Sequence, residues 1–169
     1  SVMVWGCMTS AGWGWLVLIE GTMDAELYCS VLEEGLLTTL DDLKINCSDI
    51  IFQQDNDPNI SKTCSLETTQ VLLMKHKSRR AMQWLSNQGF DLLPWPPNSP
   101  DQNLIENAWF ELEKRVNCRA RCPNNKAALW EALQEEWRNL PAELLDNLYD
   151  SARRRLVTLQ ASKGQWTKY

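Results

Sequence analysis

The segment from Ile50 to Pro58 reads IIFQQDNDP. Three apolar residues, Ile50, Ile51 and Phe52, run directly into two glutamines, an aspartate, an asparagine, a second aspartate and a proline. A short apolar run stopped by turn formers has the composition of a buried strand. Asn56, Asp57 and Pro58 are ordinary turn chemistry. They leave Gln53, Gln54 and Asp55 unexplained at the mouth of the strand. A carboxylate there has two readings: a residue that closes the turn, or an oxygen ligand for a hard divalent cation.

On the N-terminal side, SVMVWGCMT and GWLVLIEG are two apolar runs separated by SAGWG. Gly12 and Gly14 in that connection predict a hairpin of two strands. MDAELYCSVLEEGLLTTLDDL follows, with Tyr28, Leu32, Leu36 and Leu40 at a spacing of four. This predicts an amphipathic helix, with Asp24 and Glu26 suited to the positive end of its dipole. On the C-terminal side, FDLLPWP predicts a fourth strand stopped by prolines. Three helical stripes come next: Ile105, Trp109, Leu112 and Val116; Leu129, Leu133, Trp137 and Leu140; Leu148, Ala152, Leu156 and Leu159. Pro123 and Pro141 punctuate them. Residues from about 63 to 88 read as helix-like but irregular, so the order strand, strand, helix, strand, helix, strand and then helices is an α/β layout.

Composition narrows the function classes. The chain has 169 residues, enough for one domain with a real core, and its 44% hydrophobic and 23% charged residues are ordinary globular values. No apolar run reaches the roughly 20 residues that span a membrane, and the start lacks a signal peptide's charged region and cleavage site. The net charge of −5 opposes strong autonomous binding to nucleic acid. Six cysteines without a CxxC pair, and one histidine, predict reduced and mostly packed thiols in an intracellular protein rather than a zinc site. Trp109, Trp130 and Trp137 lie on or beside the helical stripes, which predicts core packing rather than base stacking.

A second carboxylate stands at an element boundary. Glu106 opens a helix in SPDQNLIENAW. Asn103 and Glu106 have the spacing of an N-cap and N3 capping box, which would make Glu106 structural. Asp55 and Glu106 instead have the arrangement that metal-assisted phosphoryl chemistry needs, with oxygen ligands on rigid elements converging from distant positions. Spacing alone leaves both readings open.

The segments SVMVWGCMT, FQQDNDP, LLPWPPNSPDQNLIENAW, EEWRNLP and SKGQWTKY occur in the same order as in DDE transposases of the mariner superfamily. The resemblance runs from Ser1 to Tyr169 and looks nearest to elements of fungal type. It implies an RNase H-like core, a mixed sheet flanked by helices. It also implies cutting and joining of transposon-end DNA by two divalent metals on three carboxylates. By motif position Asp55 resembles the second carboxylate and Glu106 the third. The resemblance places the first on a strand upstream of VMVWG, so residues 1–169 read as a partial catalytic domain, N-terminally truncated and lacking that strand.

The motifs also depart from the family. DPNISK stands where DPKHTS is usual, with Asn59 and Ile60 in place of Lys and His. SPDQNLIE stands where SPDLNPIE is usual, so Leu104 replaces a proline suited to the first helical position. Fifty residues separate Asp55 from Glu106, where the family branch has about 34. The excess, an insert of about 16 residues within 63–83, carries His76 and predicts a loop or extra helix outside the sheet.

The expectations are therefore these. The complete protein carries out DNA transposition, with Mg²⁺ or Mn²⁺ at Asp55 and Glu106, transposon terminal repeats as its DNA partner, no membrane association and a nuclear location. A homodimer is compatible with this. The fragment binds metal weakly and is inactive alone. The alternative is a non-catalytic transposon relic or a partner-binding module. Arg153, Arg154 and Arg155 read as a solvated helix face, with contact to a DNA backbone as the alternative.

Overall fold

A computed structural model of the chain describes residues 2–53, 79–94 and 103–161. β1 (Met3–Thr9) and β2 (Gly12–Ile19) form an antiparallel hairpin. Thr9 pairs with Gly12, so the connection is the two residues Ser10 and Ala11. Gly12 and Gly14 lie inside β2 rather than in the turn that the sequence predicts. The reason for Gly14 is space: a Cβ there would collide with the Cys7 and Thr39 side chains. β3 (Ile51–Phe52) and β4 (Asp91–Leu92) form a parallel pair of two residues each. Among the described residues the two pairs are separate sheets.

The hairpin is buried on both faces. Strand alternation sends Val2, Val4 and Leu16 to one side and Met3, Trp5, Val17 and Ile19 to the other. On the first side lie α4 (Ile105–Asn117), α5 (Lys126–Arg138) and α6 (Ala142–Ala161). Their predicted stripes are largely correct: Trp109, Leu112, Val116, Leu129, Leu133, Trp137 and Leu140 are all buried. Trp109 and Trp137 stack with centroids 5.0 Å apart, and Trp13 meets Trp137 edge-on at 5.4 Å. Trp137 Nε1 donates to the Gly14 carbonyl at 2.7 Å, which satisfies the indole inside the core. The third stripe departs at Leu156. Leu145 and Leu148 are buried, but Leu156 is 53% exposed.

On the second side, α1 (Ala25–Val31) passes into a π-helical stretch (Leu32–Leu37) and then α2 (Thr38–Asp42). The predicted single helix is therefore widened in the middle. Gly35 sits in the widened part, where a Cβ would overlap the Trp5 ring. Asp24 caps α1, its Oδ1 accepting from the Glu26 and Leu27 amides at 2.9 and 2.8 Å. Buried Thr39 Oγ1 donates to the Gly35 carbonyl at 2.6 Å and accepts from the Trp15 amide at 2.8 Å, tying the helix to β2. α3 (Arg79–Asn87) covers the same core with fully buried Ala81 and Leu85. Residues 79–83 of the expected insert thus belong to a core helix, and 63–78 lie outside the described residues.

Among the described residues no helix is long and apolar enough to cross a membrane. The described cysteines are free thiols, and Cys118 and Cys122 are exposed rather than packed because they lie in the turn after α4.

Candidate active site

The end of β3 meets the start of α4. Gln53, immediately after β3, donates from Nε2 to Asn103 Oδ1 at 3.5 Å across 50 residues of sequence. Asn103 is 6% exposed. This contact overturns the capping box. The N-cap of α4 is Leu104, with no side-chain cap hydrogen bond, and the Asn103 oxygen serves Gln53 instead. The first turn closes through backbone bonds, Glu106 N to Asn103 O at 3.3 Å and Asn107 N to Leu104 O at 3.1 Å. Glu106 is left in the first turn as a partly buried carboxylate with a buried Oε1, at the positive end of the helix dipole. An acidic side chain placed there can serve as a hard oxygen ligand on a rigid element.

A cleft of roughly 700 Å³ opens beside this junction. Gln53, Asn103 and Ile105 line one part of it, and Cys7, Met8 and Thr9 of β1 line another. Burial pushes the Cys7 thiol up to about 11, against a weaker opposing effect of its Thr39 contact, so it stays protonated at neutral pH. Burial also raises the Tyr149 phenol at the cleft, with Cys7 adding a smaller push in the same direction. Neither group is a candidate base near pH 7.

Asp55 lies outside the described residues, as do Asn59, Ile60 and His76. Among the described residues no three of His, Cys, Asp and Glu converge on one point. Sequence reasoning missed two contacts here: Gln53 with Asn103, and Arg155 Nη2 with Asn107 Oδ1 at 3.4 Å. The doubled glutamine at 53 and 54 was the available signal for the first.

No family model matches the chain. The Tcb1 transposase of Caenorhabditis briggsae is 37% identical over the whole of this chain and 55% of its own length. The Tc1 transposase of Caenorhabditis elegans is 35% identical, with the same coverage. The homologues of this chain are thus Tc1/mariner-family transposases. The chain spans about half the length of these curated relatives. The catalytic domain of the Mos1 mariner transposase superimposes over 99% of this chain and 83% of its own, with a TM-score of 0.71 at 16% identity. The Mos1 domain with raltegravir and manganese gives 0.69 at 15%. The fold is thus RNase H-like, as the motif resemblance implies. The described residues of the two motifs that meet at the β3–α4 junction are Gln53 on one side and Asn103 with Glu106 on the other.

Proposed function

We propose that this chain supplies two carboxylates, Asp55 and Glu106, to a divalent-metal site that cuts transposon-end DNA and joins it to a target. The supporting observation is the Gln53–Asn103 hydrogen bond. Asp55 follows Gln53 by two residues, so covalent geometry keeps its Cα within about 7 Å of that of Gln53. Glu106 follows Asn103 by one helical turn. Those two tethers are compatible with an approach of the two carboxyl groups to within about 10 Å, the reach that shared metal ions require.

The donor chemistry fits a hard cation: the two motifs supply two carboxylates together with the amide oxygens of Gln53 and Asn103. Mg²⁺ or Mn²⁺ held there would stabilise charge on the scissile phosphate and on the attacking and leaving oxygens. The chain's own part is orientation. Gln53 and Asn103 fix the strand end against the helix start, and the positive end of the α4 dipole lies at Glu106. Terminal-repeat DNA as substrate, action in the nucleus, and a homodimer belong to the same proposal. So does the assignment of residues 1–169 to a single partial catalytic domain.

The test is end-cleavage of labelled terminal-repeat DNA in Mg²⁺ or Mn²⁺, using residues 1–169 joined to an upstream segment that carries a third carboxylate. Cutting that vanishes in Asp55→Ala and in Glu106→Ala carries the reading, and cutting that survives both overturns it. Residues 1–169 alone are expected not to cut, because two carboxylates hold two ions poorly. One observation favours a partner-binding module instead: Phe110, Leu156 and Val157 are 68%, 53% and 61% exposed. Mn²⁺ binding that ignores both carboxylates would favour that reading.

A further inference from the structure

Helix starts fray because their first amides lack intrahelical acceptors, and α4 begins without the side-chain cap that usually compensates. Glu106 rides on that turn. A carboxylate that must hold an ion in fixed geometry needs its backbone held from elsewhere. We propose that Arg155 is a positioning residue for Glu106, acting through Asn107.

Arg155 reaches back from α6, donating from Nη2 to Asn107 Oδ1 at 3.4 Å across 48 residues, with its Nε buried. Asn107 is the immediate neighbour of Glu106. Gln53 holds Asn103 at the other end of the same turn. The first turn of α4 is therefore gripped at both ends by side chains from distant elements, in place of a local cap. Helical period explains why Arg155 alone of its run is available. It shares the inward face with Leu148 and Ala152, whereas Arg153 and Arg154 point to solvent. The three arginines are thus not one surface. Arg155 braces the site, and only its two neighbours are open to an outside anion. A lysine would reach the same oxygen with a single point donor, losing the planar fork that holds direction.

The inference rests on the assignment of Glu106 as a metal ligand, and two readouts separate them. Hydrogen exchange at the Glu106 and Asn107 amides reports the brace without metal. Free-Mn²⁺ electron paramagnetic resonance reports ligation. In Arg155→Ala, those two amides should exchange about three- to tenfold faster, with α5 amides unchanged, and Mn²⁺ affinity should fall by a similar factor. Arg155→Lys should recover part of both, and Arg154→Ala should move neither. If Arg155→Ala does not fold, Asn107→Ala breaks the same bond from the other side. Exchange no faster in Arg155→Ala or Asn107→Ala than in Arg154→Ala overturns the brace. Mn²⁺ binding unchanged in Glu106→Gln overturns the ligand assignment instead, leaving the exchange result to decide the brace.

Discussion

The two faces of the β1–β2 hairpin are built differently. Toward α4, α5 and α6 the core is a set of long helices whose stripes close on stacked Trp109 and Trp137. Toward α1, α2 and α3 the core is finished by a two-residue strand pair, a widened helix and the Phe52–Phe90 contact at 5.9 Å. The candidate site lies between them, taking Gln53 from the second side and Asn103 with Glu106 from the first. Among the described residues, the Gln53–Asn103 hydrogen bond ties the two sides together at that seam.

The sharpest way to break this comparison is to remove the centre of the firmer face. Trp137→Ala deletes a buried indole, its stacking partner contact and its bond to the Gly14 carbonyl, and should cost about 4–5 kcal/mol by denaturant titration. Phe90→Ala on the other face should cost less, about 3 kcal/mol. Equal losses would show that the two faces share the stability evenly.

Alkaline pH probes the second face through Cys7 and Tyr28, with the raised Tyr149 of α6 adding from the other side. The folded Cys7 thiol titrates at about 11, above its ordinary 9.0, so the folded state holds its proton more tightly than the unfolded chain. That contribution is complete below pH 9 and is lost as pH rises from 9 toward 11, at most about 2–3 kcal/mol. Cys7→Ala should flatten this part of the stability–pH curve. The raised Tyr28 phenol, also shifted by burial, should keep the remainder of the slope. A wild-type curve that is flat between pH 9 and 11 would show that the thiol is not buried as described.

Gly35→Ala places a methyl group against the Trp5 ring, and should lower stability by about 1–3 kcal/mol while leaving the Trp109–Trp137 stack unchanged in near-ultraviolet circular dichroism. The smallest effect is expected from deleting residues 63–78. The melting temperature should stay within a few degrees of wild type, whereas a deletion reaching Ala81 should destabilise strongly because that residue is fully buried. A large loss from the shorter deletion would make the insert part of the core.

Sequence by itself determined the hairpin, the acidic start of α1 at Asp24 and the stripes of α4 and α5. Alternation, capping and helical period are local properties, and Val4, Asp24 and Leu133 obey them without reference to the rest of the chain. It also pointed to Glu106 at a helix start. Only the tertiary structure decided how that start is held. Asn103 has the sequence of a cap, yet its oxygen accepts from Gln53, because a donor packed against it from β3 displaces the local partner. The same holds for the arginine run and for Leu156. Period assigns each a face of α6, but which face is covered depends on what packs against it, as Arg155 does on Asn107, and no local pattern encodes that.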